Sequence, residues 1–287
     1  METWHRNRLS ARQAELVEAW LPGVRLVADL SWNLLDTAVL EVADAAERQR
    51  RYVVKAAGPS NHHIGREIDA HESWISVWSR QNRAPKLVHA DRSENILVTE
   101  YLEGSLVEGT EAEYDPGTYQ QAGCLLRIFH EQSARTDADY ESRATAKALL
   151  WLERPHRISE SHVARVRAIL DGYRPKPVVL VPTHGDWQPR NWLMDGSELR
   201  VIDFGRYDFR PALTDLCRLA AQQWRPRSYL EAAFFEGYGT DFRDTELWNV
   251  ALLREAVSTA AWAYQVGDPK FEEQGHRMLR DALGNFA

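Results

Sequence analysis

The sequence predicts an α+β protein in two lobes: residues 1–103 as a small, mainly-β lobe with one main helix, and residues 104–287 as a larger, mainly-α lobe. Three observations predict it. The chain has 287 residues, more than a single core usually organises. Short β-branched runs crowd the first hundred residues, with one amphipathic stretch among them. Beyond them the apolar residues recur at helical spacing, interrupted by one island from Val178 to Gly205.

Taken in order, Ser10-Ala11-Arg12-Gln13 is a capping box, opening a helix that carries Leu16, Val17 and Trp20 and stops at Pro22-Gly23. Val24–Val27, Ala38–Val42 and Tyr52–Lys55 are expected strands, and the charged piece Asp44 to Arg51 an exposed hairpin connection. Ile64, Ile68, His71, Ile75 and Trp78 share one face of a helix. Lys86 to Leu102 supplies two more strands. The acidic, glycine-containing stretch from Glu103 to Gly117 connects the lobes. Helices are expected through Tyr119, Ala122, Leu126 and Phe129, then over Leu213–Trp224, Tyr229–Tyr238 and Glu246–Val266.

Composition excludes several classes. The formal net charge is −7, which leaves no footprint for nucleic acid and suits a cationic substrate as well as a merely solvated surface. Cys124 and Cys217 are the two cysteines, with no paired motif for zinc or a disulfide framework. The apolar runs are too short to span a bilayer, and Met1–Arg6 lacks the apolar core of a signal peptide, so a cytoplasmic protein is expected.

The island carries the chemistry. An apolar run, Val178–Val181, delivers the chain to His184-Gly185-Asp186-Trp187-Gln188-Pro189-Arg190-Asn191, and a hairpin around Asp195-Gly196 returns it to Ile202-Asp203-Phe204-Gly205. The hairpin brings Asp203 back to the end at which Asn191 left, so Asp186, Asn191 and Asp203 are expected to converge. Two carboxylates and an amide oxygen suit magnesium, which takes few protein oxygens and keeps water and phosphate ligands. Phosphoryl transfer needs such a metal and a carboxylate to orient and deprotonate the attacking hydroxyl. His-x-Asp-x-x-x-x-Asn followed by Ile-Asp-Phe-Gly is a kinase catalytic-loop and metal-loop pattern.

With Gly185 where eukaryotic protein kinases usually place arginine, the motif resembles the aminoglycoside phosphotransferase and choline kinase-like group of small-molecule kinases. The resemblance implies a two-lobed protein-kinase-like fold and runs from about Lys55 to Leu219. Tyr52-Val53-Val54-Lys55 resembles the strand whose lysine grips the phosphates, and Arg66-Glu67 the helix glutamate that orients it, although Glu72 lies on a neighbouring turn. Thr99-Glu100-Tyr101-Leu102 resembles the hinge that meets adenine through backbone groups, so ATP is the expected donor and GTP an alternative. Leu125–His130 resembles the first long helix of the second lobe, and Asp215 the structural aspartate after the metal loop. The roles implied are Asp186 as catalytic carboxylate, Asn191 and Asp203 as magnesium ligands, and Lys55, Glu67, Glu100, Tyr101 and Leu102 as nucleotide-binding residues. No glycine-rich motif precedes Lys55; Ser31 and Asn33 stand there as candidates to cap a phosphate.

Weaker candidates have plain alternatives. His184 beside the loop suits backbone bonding better than base catalysis. His62-His63 lacks the further ligands zinc needs. Asp208 and Arg210 are either substrate-facing or paired with each other, and Arg190 either touches phosphate or faces solvent. Glu246, Trp248, Glu255 and Trp262 are candidates for a cationic pocket, or simply helix surface and core. The implied function is transfer of the γ-phosphoryl group to a hydroxyl of a small molecule, an aminoglycoside-like or other cationic antibiotic, by a monomer or homodimer. The alternatives are a metabolic kinase of choline, homoserine, sugar or fructosamine type, a protein kinase, and a nucleotide-binding module without turnover. Against a protein kinase stands the lack of an Ala-Pro-Glu-like anchor after the metal loop.

Overall fold

The computed structural model describes residues 4–32, 37–44 and 50–286. In chain order the elements are α1 (Ala11–Trp20), β1 (Arg25–Asp29), β2 (Thr37–Ala43), β3 (Arg51–Ala57), α2 (His63–Ser73), α3 (Ser76–Ser79), β4 (Leu87–Asp91), β5 (Ile96–Glu100) and β6 (Ser105–Leu106). Then come α4 (Pro116–His130), β7 (Arg135–Asp137), α5 (Tyr140–Trp151), α6 (Glu160–Gly172), β8 (Val178–Thr183), β9 (Trp192–Asp195), β10 (Glu198–Val201) and β11 (Asp208–Arg210). The chain finishes with α7 (Cys217–Ala221), α8 (Ser228–Tyr238), α9 (Thr245–Val266) and α10 (Pro269–Gly284). None of the described helices is long and apolar enough to cross a membrane.

Two compact units result, residues 1–113 with 188–208, and residues 114–187 with 209–287. The expected single cut at 103/104 differs from this division. The island is divided: residues 178–187 stay with the second unit, whereas the hairpin from residue 188 packs with the first, where β6 adds to β9 (Ser105 opposite Met194, Leu106 opposite Leu193).

In the first unit, five antiparallel strands run in the order β1-β2-β3-β5-β4. Alternation along β2 and β3 sends Leu40, Val42, Val54 and Ala56 to one face, where they join Val17 of α1, Ile96 and Val98 in one core. Leu97 and Ala57 meet Ile64 and Ile68 of α2 in a second cluster. The capping box forms as expected, the Gln13 amide N–H reaching Ser10 Oγ at 3.2 Å and the Ser10 N–H reaching Gln13 Oε1 at 3.0 Å. Gln13 Nε2 also donates to Ala57 O and Glu94 O, pinning α1 to the sheet. The hairpin connection expected at Asp44–Arg51 lies outside the described residues over 45–49; at its base the Asp44 N–H donates to Arg50 O at 3.0 Å.

The helix expected through Trp78 is broken. α2 ends at Ser73, the Ile75 N–H reaches back to Ala70 O, and α3 begins a new turn, so Ile75 and Trp78 are buried by a second short helix.

In the second unit, α4 packs on α8 at near-backbone contact. A Cβ on Gly237 would lie 1.8 Å from Gln120 O, and one on Gly123 2.1 Å from Phe234 O, so only glycine permits this approach. Leu152, Val166, Leu170, Leu253, Val257, Leu279 and Leu283 make a core between α5, α6, α9 and α10. The helix expected over Leu213–Trp224 is instead a 3₁₀ turn, Ala212–Leu216, followed by the short α7. The cause lies in the bonds made by Asp215.

Candidate active site

Lys55 sits near the middle of β3, paired with Val39 of β2 on one side and Leu97 of β5 on the other. Its Nζ lies 2.7 and 3.1 Å from the two carboxylate oxygens of Glu67 on α2, and 3.1 Å from Oδ1 of Asp203. Burial alone pulls this ammonium down, but the charges of Asp203 and Glu67 outweigh it and hold Lys55 above the ordinary lysine value. Glu72, the other candidate, pairs instead with Arg92 at 2.6 Å on the exposed side of α2.

Asp203 has a left-handed backbone, φ 66°, uncommon for a residue with a side chain, and its carboxylate stays half exposed. The next residues hold it there. Phe204 is fully buried, with its ring 5.5 Å from that of His71 and 5.9 Å from that of Trp78. Gly205 O lies 2.8 Å from His63 Nδ1, so this histidine braces the loop. Among the described residues no group of three or more His, Cys, Asp or Glu side chains could hold a metal.

Asn191 closes the 3₁₀ turn Pro189–Asn191 and is buried. Four residue pairs from Trp192–Val201 to Asp195–Glu198 hold the hairpin in register, with Gly196 at φ 57° in its turn. The Ile202 N–H then donates to Asn191 O at 3.0 Å, so the outgoing and returning ends of the hairpin are tied beside Asp203.

In the segment expected to be the hinge, the Glu100 N–H goes to Lys86 O and the Tyr101 N–H to Arg51 O. The Arg51 guanidinium covers the Tyr101 ring at 3.8 Å, and Leu102 is buried. The Ser31 hydroxyl accepts from the Val39 N–H at 2.9 Å and so closes the end of the β1–β2 pair. Asn33 lies outside the described residues.

Asp186 belongs to the second unit. β8 carries the chain to His184 and Gly185, whose N–H groups donate to the two oxygens of Asp215 at 2.9 and 2.6 Å. The His130 ring contacts Asp215 Oδ2 at 3.1 Å through Nε2, and the Tyr238 hydroxyl at 3.0 Å through Nδ1. Burial pushes the Asp215 carboxyl up, yet His130 and these N–H donors hold it below the usual carboxylate range. Gly185 takes φ 79°, and the Asp186 N–H turns back onto His184 Nδ1 at 3.2 Å. That ring therefore serves the loop backbone.

Asp186 is itself buried and ion-paired through Oδ1 with the Arg218 guanidinium of α7. Nε of Arg218 lies 2.8 Å from Oε1 of Glu255 on α9. The two carboxylates hold Arg218 charged against burial, which alone would lower it. Sequence reasoning passed over Arg218; its one signal was an arginine inside the otherwise apolar run Leu216-Cys217-Arg218-Leu219-Ala220-Ala221.

The remaining candidates are engaged elsewhere. Glu255 is taken by Arg218, and Glu246 pairs with Lys176 at 2.8 Å. Trp248 lies under Arg243, and Trp262 meets Phe271 edge-on. Asp208 pairs with Arg66 at 3.8 Å, and Arg210 bonds the Thr183 hydroxyl, where a pair with each other was one expectation. The first unit thus collects Lys55, Glu67, Asn191 and Asp203, and the second Asp186, His184, Asp215, Arg218 and Glu255.

Comparison with known proteins bears on the fold and the family. Three solved structures share the fold at low identity. A thermostable mutant of the aminoglycoside phosphotransferase APH(4)-Ia, in ternary complex with AMP-PNP and hygromycin B, is 15% identical with a TM-score of 0.69, over 97% of this chain and 99% of that one. Choline kinase LicA from Streptococcus pneumoniae is 15% identical with a TM-score of 0.68, over 94% and 96%. Spectinomycin phosphotransferase APH(9)-Ia, in complex with ADP and spectinomycin, is 14% identical with a TM-score of 0.56, over 97% and 94%. A search of curated protein sequences finds no match. A family model described as the phosphotransferase enzyme family matches residues 36–248. The chain belongs to that family, as an enzyme that moves phosphoryl groups onto hydroxyls of small molecules.

Proposed function

We propose that this enzyme transfers the γ-phosphoryl group of ATP to a hydroxyl of an aminoglycoside-like, hydroxylated amine. The observation that carries the reading is the contact of Lys55 with both Glu67 and Asp203, a cation held by one buried and one half-exposed carboxylate. A lysine so placed is charged and fixed, as a phosphate grip must be. In this reading Lys55 holds the α- and β-phosphates and Glu67 keeps it oriented. The hinge meets the base through backbone groups, which admits GTP as a second donor.

Asn191 and Asp203 offer one amide oxygen and one carboxylate, both hard donors and too few for a protein-only cage, which fits magnesium. Bound there, the metal would offset phosphate charge. Asp186 orients the acceptor hydroxyl and takes its proton as the new P–O bond forms and the bond to ADP breaks.

The net charge of −7 and the family favour a cationic acceptor. A second reading, a metabolic kinase with a sugar- or choline-type acceptor, is favoured by the pairing of Glu246 and Glu255 with Lys176 and Arg218, which leaves those two acids already compensated. The test is ADP release from magnesium–ATP against a panel of hygromycin B, spectinomycin, choline, homoserine and sugars. Stimulation by the antibiotics supports the first reading and stimulation by choline, homoserine or sugars the second. Release with none, together with no thermal shift on magnesium–ATP, would defeat both.

A further inference from the structure

Arg218 is the buried cation that the reaction so far leaves without a task. We propose that it is a positioning residue for catalysis: held by Glu255, it fixes the rotation and the charge of the Asp186 carboxylate. The inference rests on the reading of Asp186 as the hydroxyl-orienting group.

Three observations carry it. Asp186 is only 4% exposed, and a carboxylate so buried stays ionised only with a charged or hydrogen-bonded partner. Arg218 supplies that partner at Oδ1, and one fixed oxygen sets the plane of the whole carboxyl group. Glu255 holds the opposite edge of the guanidinium through Nε. With one edge engaged by the loop after β8 and the other by α9, the planar fork cannot turn without breaking an ion pair.

The charge balance also matters. An arginine paired to Asp186 alone would form a closed, neutral couple and weaken the carboxylate as an acceptor. Glu255 shares the cation, so the trio keeps one net negative charge, and Asp186 retains its pull on a hydroxyl proton. The other ionisable groups of this neighbourhood are already assigned. His184 receives the Asp186 N–H, Asp215 holds His130 and the loop amides, and the Cys217 thiol is pushed well up by burial and remains neutral.

The test compares Arg218→Met, Arg218→Lys and Glu255→Gln with the unaltered chain, using Arg225→Met as a control. Arg225 pairs with Asp281 at the surface, so its loss is expected to leave turnover unchanged. ADP release is followed with magnesium–ATP, both with water as acceptor and with the acceptor that the panel selects. Arg218→Met is expected to lower kcat on the order of 100-fold, the usual penalty for a misplaced catalytic group, while KM for ATP stays at its normal value. Arg218→Lys restores only a minor part of the loss, because the charge returns without the fork, and Glu255→Gln gives an intermediate fall in kcat. Added guanidinium partly rescues Arg218→Met.

A purely structural role would instead lower the folded fraction and spare the kcat of the molecules that remain folded. Full kcat in folded Arg218→Met overturns the proposal. If Arg218→Met does not fold, full kcat in folded Glu255→Gln and Arg218→Lys overturns it equally. Turnover in Asp186→Asn would defeat the underlying reading; a dead Asp186→Asn beside fully active Arg218 and Glu255 variants defeats this inference alone.

Discussion

Nζ of Lys55 and the carboxylate of Glu67 meet at 2.7 and 3.1 Å, joining the central strand of the five-stranded sheet to the helix that covers it. A contact made by both carboxylate oxygens constrains the lysine more than a single one would, and it lies where burial makes a lone charge costly.

Glu67→Gln is expected to raise KM for ATP about tenfold, equivalent to about 1.4 kcal/mol, with kcat less affected. Lys55→Met removes the grip altogether and should cut kcat/KM on the order of 100-fold, as loss of one charge-stabilising donor does. Steady-state kinetics of ADP release check both. An unchanged KM in Glu67→Gln would show that Lys55 needs no orienting partner.

Asp186→Asn should abolish turnover and leave the thermal shift produced by magnesium–ATP intact. Differential scanning fluorimetry beside the kinetic assay separates the two effects. Near-normal kcat in this variant would remove Asp186 from the chemistry.

Asp203→Asn weakens the proposed hold on magnesium and should move the metal dependence of ADP release to higher concentration. Titration of magnesium at saturating ATP measures it. The same magnesium midpoint in variant and parent would place the metal on other residues.

Asp215 sets a pH dependence of stability. Its folded carboxyl lies below the ordinary value of 3.8, so its contribution is fully present above that value and is lost as pH falls through the lower, folded one. Asp215→Asn should therefore be less stable at neutral pH and lose less on acidification. Denaturant midpoints between neutrality and strong acid would show the two curves approaching one another; parallel curves would contradict it.

Gly237→Ala forces a methyl group against Gln120 O, where the ideal position lies 1.8 Å away. Moving α4 and α8 apart to admit it should cost about 1–3 kcal/mol, read as a lowered Tm. A variant as stable as the parent would mean that the two helices separate freely.

Much of this was legible along the chain, because the relevant physics is local. Ser10 and Gln13 announce their own cap, and Asp195-Gly196 announces the hairpin whose closure ties Asn191 to Ile202. Other features were not, because they depend on partners far away in sequence. The periodicity over Leu213–Trp224 favours one helix, yet Asp215 is drawn onto His130, His184 and Gly185, and the turn tightens to 3₁₀. Arg218 looks like a surface charge until Asp186 and Glu255 are brought to it. α10 was readable but passed over: Asp268-Pro269 is a cap with proline in the first turn, and Gly275, Met278, Leu279 and Ala282 follow at helical spacing.

The late hairpin also sets a timetable for biosynthesis. Lys55 and Asp203 are 148 residues apart, so at about 5–20 residues per second a ribosome needs roughly 7–30 seconds to deliver the second after the first. Throughout that interval the nascent sheet carries its lysine and glutamate without the aspartate that completes the group, and β6 waits for the strand it will join. The Lys55–Glu67–Asp203 group and the pairing of β6 are therefore completed only after the hairpin has emerged.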